Sequence, residues 1–215
     1  SNIRMHLIGD HGIGKMSLIV TYTTNFFPTD DRPYLPIRDF YYKNIVIEKK
    51  EIRLIIQDMA CVNYGYKKLR NLEYIGVDVF AICFSFDSPN SLQNAINLWI
   101  PEIKELRPDT PFILVGLKSE LRDIAQNRPP WRLDNSNMEL IPNSTCENLK
   151  NTVGAEYYIE CSSKNKINID YVFINACKSV LKLGNTTENT TENTTENISE
   201  NKSENKTENN CCYIS

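Results

Sequence analysis

Apolar residues recur along this chain with two different periods. Short runs rich in β-branched and aromatic residues, at Ile3–Gly9, Val77–Phe86, Phe112–Leu117 and Tyr157–Cys161, predict buried strands. Ile45–Ile47 and Ile52–Gln57 flank the polar stretch Glu48–Glu51 and predict a hairpin. Ser88-Pro89 reads as a helix N-cap with proline at the first helical position, followed by Leu92, Ala95, Ile96, Trp99, Ile103 and Leu106 at helical spacing. A last helix carries Ile169, Val172, Phe173, Ala176, Cys177, Val180 and Leu181. Trp99 and Phe173 lie on these stripes and are read as core. Strands alternating with helices predict an α/β fold, a doubly wound and mostly parallel sheet with helices on both faces. Ligands bind such sheets at the carboxyl ends of the strands. Chemistry is therefore expected just after Ile8, Gln57, Phe86, Leu117 and Cys161.

The pattern stops at Gly184. From Asn185 the chain repeats NTTE-like units with one large apolar side chain, Ile198, up to Asn210. Such a segment buries too little surface to offset the entropy of ordering, so 185–210 is expected to be a disordered linker between a domain at 1–184 and the terminal residues 211–215. The linker holds six Glu and two Lys, which leaves about +1 of the chain's formal −3 for the rest. A balance so near zero does not mark a nucleic-acid binder. No apolar run is long enough to span a bilayer, and Ser1-Asn2-Ile3-Arg4 lacks the regions of a signal peptide. A cytosolic protein is expected, and the Asn-x-Ser/Thr sequons of the linker are expected to stay unmodified. Of seven cysteines, Cys83, Cys161 and Cys177 are read as reduced, buried thiols.

Gly9-Asp10-His11-Gly12-Ile13-Gly14-Lys15-Met16-Ser17 follows the first strand, where a phosphate loop must sit. Its glycines let backbone N–H groups converge on phosphate oxygens, the following helix adds its dipole, and Lys15 adds a point charge. The motif wants Ser or Thr after the lysine as a Mg²⁺ ligand, and the residue here is Met16. Magnesium takes hard oxygen ligands and not a thioether. Ser17 is a further 100° around the helix and faces elsewhere.

The order of motifs resembles the Rho family of small GTPases, especially its Rac-like members, over residues 3–183 and again at the last five. The stretches that carry the likeness are Tyr22-Thr23-Thr24-Asn25-Phe26-Phe27-Pro28, Asp78–Ser85, Ser88-Pro89, Thr110–Gly116, Leu121-Arg122-Asp123 and Glu160-Cys161-Ser162; the segment from Asp123 to about Asn137 stands where that family has a helical insert. The resemblance implies a P-loop NTPase-type, six-stranded sheet with five main helices and a pocket for GTP or GDP. It gives Lys15 the phosphates, Asp58 a magnesium-bound water, Lys118 the face of the guanine ring, and Ser162 with Ser163 the final base-contacting loop. It makes Tyr34, Leu35, Pro36, Ile37, Arg38, Asp39, Phe40, Tyr41 and Tyr42 the first switch and effector segment.

Several positions depart from the family pattern. Met16 replaces the magnesium-binding Thr, leaving the metal site weak or absent, and Ile37 replaces the Thr that senses the γ-phosphate. Met59-Ala60-Cys61-Val62 stands for Thr-Ala-Gly-Gln, so Val62, or Asn63 with a one-residue insertion, takes the position of the catalytic glutamine. Glu120 replaces the base-reading Asp; it keeps the carboxylate, one methylene further out. Phosphoryl transfer depends on charge neutralisation and a positioned water. Slow or absent hydrolysis is therefore expected, with segments 29–42 and 59–75 weakly coupled to nucleotide. Arg32, Tyr34, Arg38, Phe40, Tyr41, Tyr42, Tyr64, Tyr66 and Arg70 form an aromatic and basic set of the kind enriched at interfaces, although for any one of them packing beneath the loops is the safer reading.

Cys212-Tyr213-Ile214-Ser215 fits a C-a-a-X box ending in serine, which favours farnesyl on Cys212. One isoprenoid anchors marginally, and the stretch before it is acidic, so palmitoyl on Cys211 is the expected second signal. A monomer on the cytoplasmic face of a membrane, the plasma membrane above all, with a cytosolic pool, follows from the resemblance. So do effectors, an exchange factor and a lipid-binding chaperone as partners, and a role in actin organisation. Three readings stay open: a signalling GTP-binding protein with impaired hydrolysis, a working GTPase with substitute residues at Ser17 or Asn63, and a nucleotide-free docking scaffold.

Overall fold

The computed structural model describes residues 1–29, 40–59, 67–122 and 143–182. The first compact unit is Ser1–Val180, and it holds every element discussed below apart from the last two residues of the final helix. The first switch apart from Phe40, Tyr41 and Tyr42, the glutamine position at Val62 or Asn63, the family insert, the linker and the lipidation box lie outside the described residues.

Six strands form one sheet in the order β2-β3-β1-β4-β5-β6, where β1 is Asn2–Ile8, β2 Tyr41–Ile47, β3 Lys50–Asp58, β4 Val79–Ser85, β5 Phe112–Leu117 and β6 Tyr158–Cys161. Only β2 pairs antiparallel, with β3; the other neighbours are parallel. The β2–β3 turn is tighter than the sequence predicts. Just Glu48 and Lys49 make it, at φ 50° and 65°, the left-handed pair that matches the twist of a two-residue hairpin. β4 is buried at all seven positions and β5 at all six, as expected of central strands covered on both faces.

Five main helices are present among the described residues: α1 Lys15–Thr24, α2 Lys67–Glu73, a long helix over 89–106, one at Asn143–Val153 and one over 169–182. The long helix starts as α3 (Pro89–Asn94), widens into a π turn at Ala95–Trp99, and ends as α4 (Ile100–Leu106). Asn143–Val153 is called α5 below, and the helix over 169–182 is α6.

Phe80, Ile82, Phe84, Leu92, Ala95, Trp99, Ile103, Leu114 and Cys146 share one core on the face covered by 89–106 and α5. On the other face Tyr22 of α1 stacks on Phe173 of α6, ring centroids 3.7 Å apart. Cys83, Cys146, Cys161 and Cys177 are free and buried. Burial pushes the Cys83 and Cys177 thiols up to about 12, so they behave as small hydrophobes rather than nucleophiles.

Connections leave β1 toward β3 on one side and reach β4 on the other, so the strand order reverses at β1. Its carboxyl end is the crevice where an open α/β sheet receives ligands.

Candidate functional site: a phosphate loop and its base pocket

The loop after β1 is set by glycines that no other residue could replace cheaply. Gly9 has φ 149°, and a Cβ there would lie 2.3 Å from the carbonyl oxygen of Cys83, so the loop backbone rests directly on β4. Gly14, at φ 112°, is the left-handed cap from which α1 starts. Gly12 and His11 are exposed at the tip, whereas Ile13 is buried beneath it.

Lys15 is buried with only 4% exposure. Its ammonium donates to the Gly9 carbonyl at 2.9 Å and the Asp10 carbonyl at 2.8 Å, and lies 3.7 Å from Asp58 Oδ1 at the end of β3. That Asp58 oxygen has no hydrogen-bond partner. Burial lifts the Asp58 carboxyl above its ordinary range, with Lys15 pulling the other way. Ser17 is buried in the body of α1.

At the position that a metal-binding hydroxyl would take, the Met16 thioether accepts a hydrogen bond from the Tyr41 hydroxyl at 3.4 Å. A carboxylate and a thioether do not make a magnesium site, since the cation demands near-octahedral oxygen. These residues do not fit Mg²⁺. Tyr41, grouped by sequence with exposed interface residues, is 5% exposed and turned inward, while Phe40 and Tyr42 of the same set are 40% and 52% exposed. Arg70 likewise takes the inward-packing alternative. It is 3% exposed and bound bidentately to Glu102, Nε to Oε1 at 2.9 Å and Nη2 to Oε2 at 2.7 Å, so it faces the fold and not a partner.

The far end of the crevice is built from the loops after β4, β5 and β6. Lys118 adopts φ 60° and runs alongside the phosphate loop, its Cε 3.7 Å from where a Gly14 Cβ would stand. Its ammonium donates to Asp87 Oδ2 at 2.7 Å. Burial alone would raise Asp87, but the hydrogen bonds from Lys118 and Ser85 outweigh it and hold the carboxyl below the usual range.

Ser119 N–H donates to the Cys161 carbonyl at 3.1 Å, joining this loop to the last one. There Ser162 is fully buried and accepts from the Asn165 amide at 2.9 Å, and Ser163 is buried beside it. Between them Glu120 leaves Oε2 buried and without a hydrogen-bond partner. A buried carboxylate oxygen with no donor is what a ring bearing adjacent N–H groups would satisfy, so the site fits a guanine nucleotide although it does not fit magnesium.

The structure thus brings Gly9–Ser17, Asp58, Lys118, Glu120, Ser162 and Ser163 to the carboxyl ends of β1, β3, β5 and β6. Sequence reading missed Asp87, although its place just after Phe86 was a position where chemistry was expected. It also missed the use made of Trp99, whose indole N–H donates to Asp10 Oδ1 at 3.0 Å while Asn94 Nδ2 donates to Oδ2 at 2.7 Å. A stripe position explains the ring's burial but gives no hint of where its one polar atom points.

Sheet order and glycine loop together define a phosphate-loop nucleotide-binding protein. The Ras family model matches residues 4–182 of the chain, and the chain belongs to the Ras family of small GTPases. Members of that family in general bind GTP and GDP and engage effectors and exchange factors.

Proposed function

We propose that this Ras-family chain is a Rho/Rac-like GTP-binding signalling protein with little or no GTP hydrolysis. The observation that carries the reading is one corner of the crevice: Lys15 is intact and buried, while beside it a thioether, Met16, engaged by Tyr41, stands where a metal-binding hydroxyl is needed. The phosphate loop, Lys118, Glu120, Ser162 and Ser163 hold the nucleotide. Lys15 supplies the positive charge, since Asp58 has no hydroxyl partner with which to hold a metal and its water. Val62 carries no amide, and the Asn63 amide is one methylene shorter than the glutamine that orients an attacking water. Signalling then depends on how much protein is present, where it sits, and which effector meets the exposed Phe40 and Tyr42. In the same reading 185–210 is a flexible tether, and farnesyl on Cys212 with palmitoyl on Cys211 holds the protein to the cytoplasmic face of the plasma membrane, with a cytosolic pool. Actin organisation is the process that the Rho/Rac likeness favours.

A second reading, a scaffold without nucleotide, draws on Lys15, whose ammonium already has Gly9, Asp10 and Asp58 around it.

Denaturing gently purified protein and separating the released nucleotides by chromatography tests both. Stoichiometric GTP is expected, with no appreciable hydrolysis in a single-turnover assay. GDP would overturn the proposal in favour of a working GTPase, and an empty protein would select the scaffold. For the anchor, Cys211→Ser is expected to move the protein from the membrane to the soluble fraction; unchanged fractionation refutes the second lipid.

A further inference from the structure

The helix over 89–106 makes polar contacts with both the phosphate loop and α2. At its middle, Asn94 and Trp99 both donate to the Asp10 carboxylate of the phosphate loop. One turn further on, Glu102 accepts from Arg70 of α2 and from the Tyr74 hydroxyl just beyond α2, the latter at 2.8 Å. Trp99 belongs to both contacts. Its indole N–H faces Asp10, and the Arg70 guanidinium lies over its ring at 5.5 Å from the centroid.

The geometry of the grip on Asp10 depends on the π turn. Residues five apart on an α-helix point about 140° away from each other, so Asn94 and Trp99 would not meet one carboxylate. A π turn has i→i+5 spacing and brings such residues onto one face. Here the Ile100 N–H bonds the Ala95 carbonyl, five residues back. The next residue is Pro101, which has no N–H to place, so the return to α spacing after the π turn strands no donor. The sequence therefore favours the wider turn at the one place where it aims two donors at Asp10.

We propose that Asp10, Trp99 and Arg70 form a mechanical link by which the state of the phosphate loop is felt at α2, through the helix over 89–106, in a chain whose sequence has Ile37, Cys61 and Val62 in place of the family's switch residues. The Asp10 carbonyl also receives the Lys15 ammonium, so a ligand that draws Lys15 toward its phosphates loads Asp10 directly. A shift of Asp10 pulls on Trp99, and Trp99 supports the Arg70 side chain that ties α2 down. Beyond the link, Leu72 and Ile75 are 64% and 63% exposed and form the surface whose order it would control. Trp99, Asn94 and Arg70 act here as positioning residues. The liganded arm of the test rests on the nucleotide reading above; the ligand-free arm does not.

The test is amide hydrogen exchange, followed by mass spectrometry, on the full chain stripped of any nucleotide it carries from purification, with and without added GDP. Trp99→Phe keeps a ring beneath Arg70 and removes the N–H that reaches Asp10. Without GDP, exchange is expected to rise about tenfold in residues 9–15 and also in 67–77, the scale of one lost hydrogen bond to a charged group. Residues 169–180 of α6, on the opposite face of the sheet from the helix over 89–106, report general destabilisation and are expected not to change. Asn94→Ala, at a half-buried position, and Pro101→Ala, which lets the π turn relax, are expected to give the same pattern more weakly; they keep the test decisive should Trp99→Phe fold poorly. With GDP, wild-type α2 gains protection and the variants do not, although equilibrium dialysis still finds GDP bound. Faster exchange confined to 9–15, with 67–77 unchanged, would overturn the link. If dialysis finds no GDP on the wild type, the nucleotide reading fails while the ligand-free comparison still decides the link.

Discussion

Carboxylates with buried oxygens fall into two sets in this molecule, one on the helix over 89–106 and one at the carboxyl ends of the strands. Glu102 is 4% exposed and accepts from Arg70 twice and from Tyr74 once. Asp58 and Glu120, at the carboxyl ends of β3 and β5, each keep a buried oxygen without a hydrogen-bond donor. A buried carboxylate that serves the fold needs its lone pairs filled by the chain, because burial without partners costs several kcal/mol. One left unfilled at the mouth of the crevice is a cost that a donor from outside the chain, a ligand N–H or a water, offsets. The difference separates residues the fold needs from residues the fold tolerates.

The largest effect that sharpens the contrast is on the filled side. Glu102→Gln keeps an acceptor for Tyr74 but leaves the Arg70 guanidinium buried without its counter-charge. A loss of about 3–5 kcal/mol is expected, read as a lower urea midpoint at unchanged slope. A shift under about 1 kcal/mol would mean that Arg70 finds water or another acceptor, and the contrast would collapse.

His6 is the residue best placed to break the rule that unfilled atoms mark the ligand site. It is 4% exposed, packs edge-on to Phe80 at 6.3 Å, and its Nδ1 has no partner, yet it lies inside the sheet. Burial, helped by the charge on Arg4, lowers it from 6.5 to about 4. A lowered pKa means that the unfolded chain binds the proton first as pH falls. Stability present above pH 6.5 is therefore lost between 6.5 and 4, by about 3 kcal/mol at most. His6→Leu should flatten urea unfolding midpoints across that window. If it leaves the acid limb as steep as in the wild type, the burial of His6 is not what sets it.

Much of this was legible before the structure. β4 and β5 announce themselves as unbroken apolar runs, and the glycines before Lys15 can mean little else between a strand and a helix. The helix α5 was not read, because Asn143–Val153 presents only Cys146, Leu149 and Val153 as apolar positions on a polar background. Its burial comes from the sheet it meets, not from its own pattern. Which members of the aromatic and basic set turn inward, as Arg70 and Tyr41 do, could not be read, because composition does not say which way a long side chain turns. Their partners, Glu102 and Met16, are 32 and 25 residues away, and no local spacing signals them. The departures at Met16 and Glu120 were visible in the sequence, but the hydroxyl on Met16 and the unpartnered oxygen of Glu120 needed coordinates.

The metal corner gives a smaller, reversible test. Met16→Thr restores a hydroxyl beside Asp58 and removes the sulfur that Tyr41 holds. Nucleotide affinity of the wild type is expected to be the same in EDTA as in excess Mg²⁺. The variant should bind about tenfold tighter with the metal, a difference of about 1.4 kcal/mol. A wild type that already responds to Mg²⁺ would show that the cation finds oxygen ligands other than residue 16.

The smallest expected effect on folding is on the unfilled side, and its sign matters more than its size. The Asp58 carboxyl is raised by burial more than Lys15, 3.7 Å away, lowers it. A group raised on folding contributes stability at low pH that is lost as pH rises through its folded value, so at neutral pH the charge opposes folding. Asp58→Asn removes that charge and the weak attraction to Lys15 together. The folded state is expected to stay within about 1 kcal/mol of the wild type, on the stable side. Urea midpoints at pH 7 measure this directly. A loss comparable to Glu102→Gln would place Asp58 among the residues the fold depends on, and its buried oxygen would no longer point to a ligand.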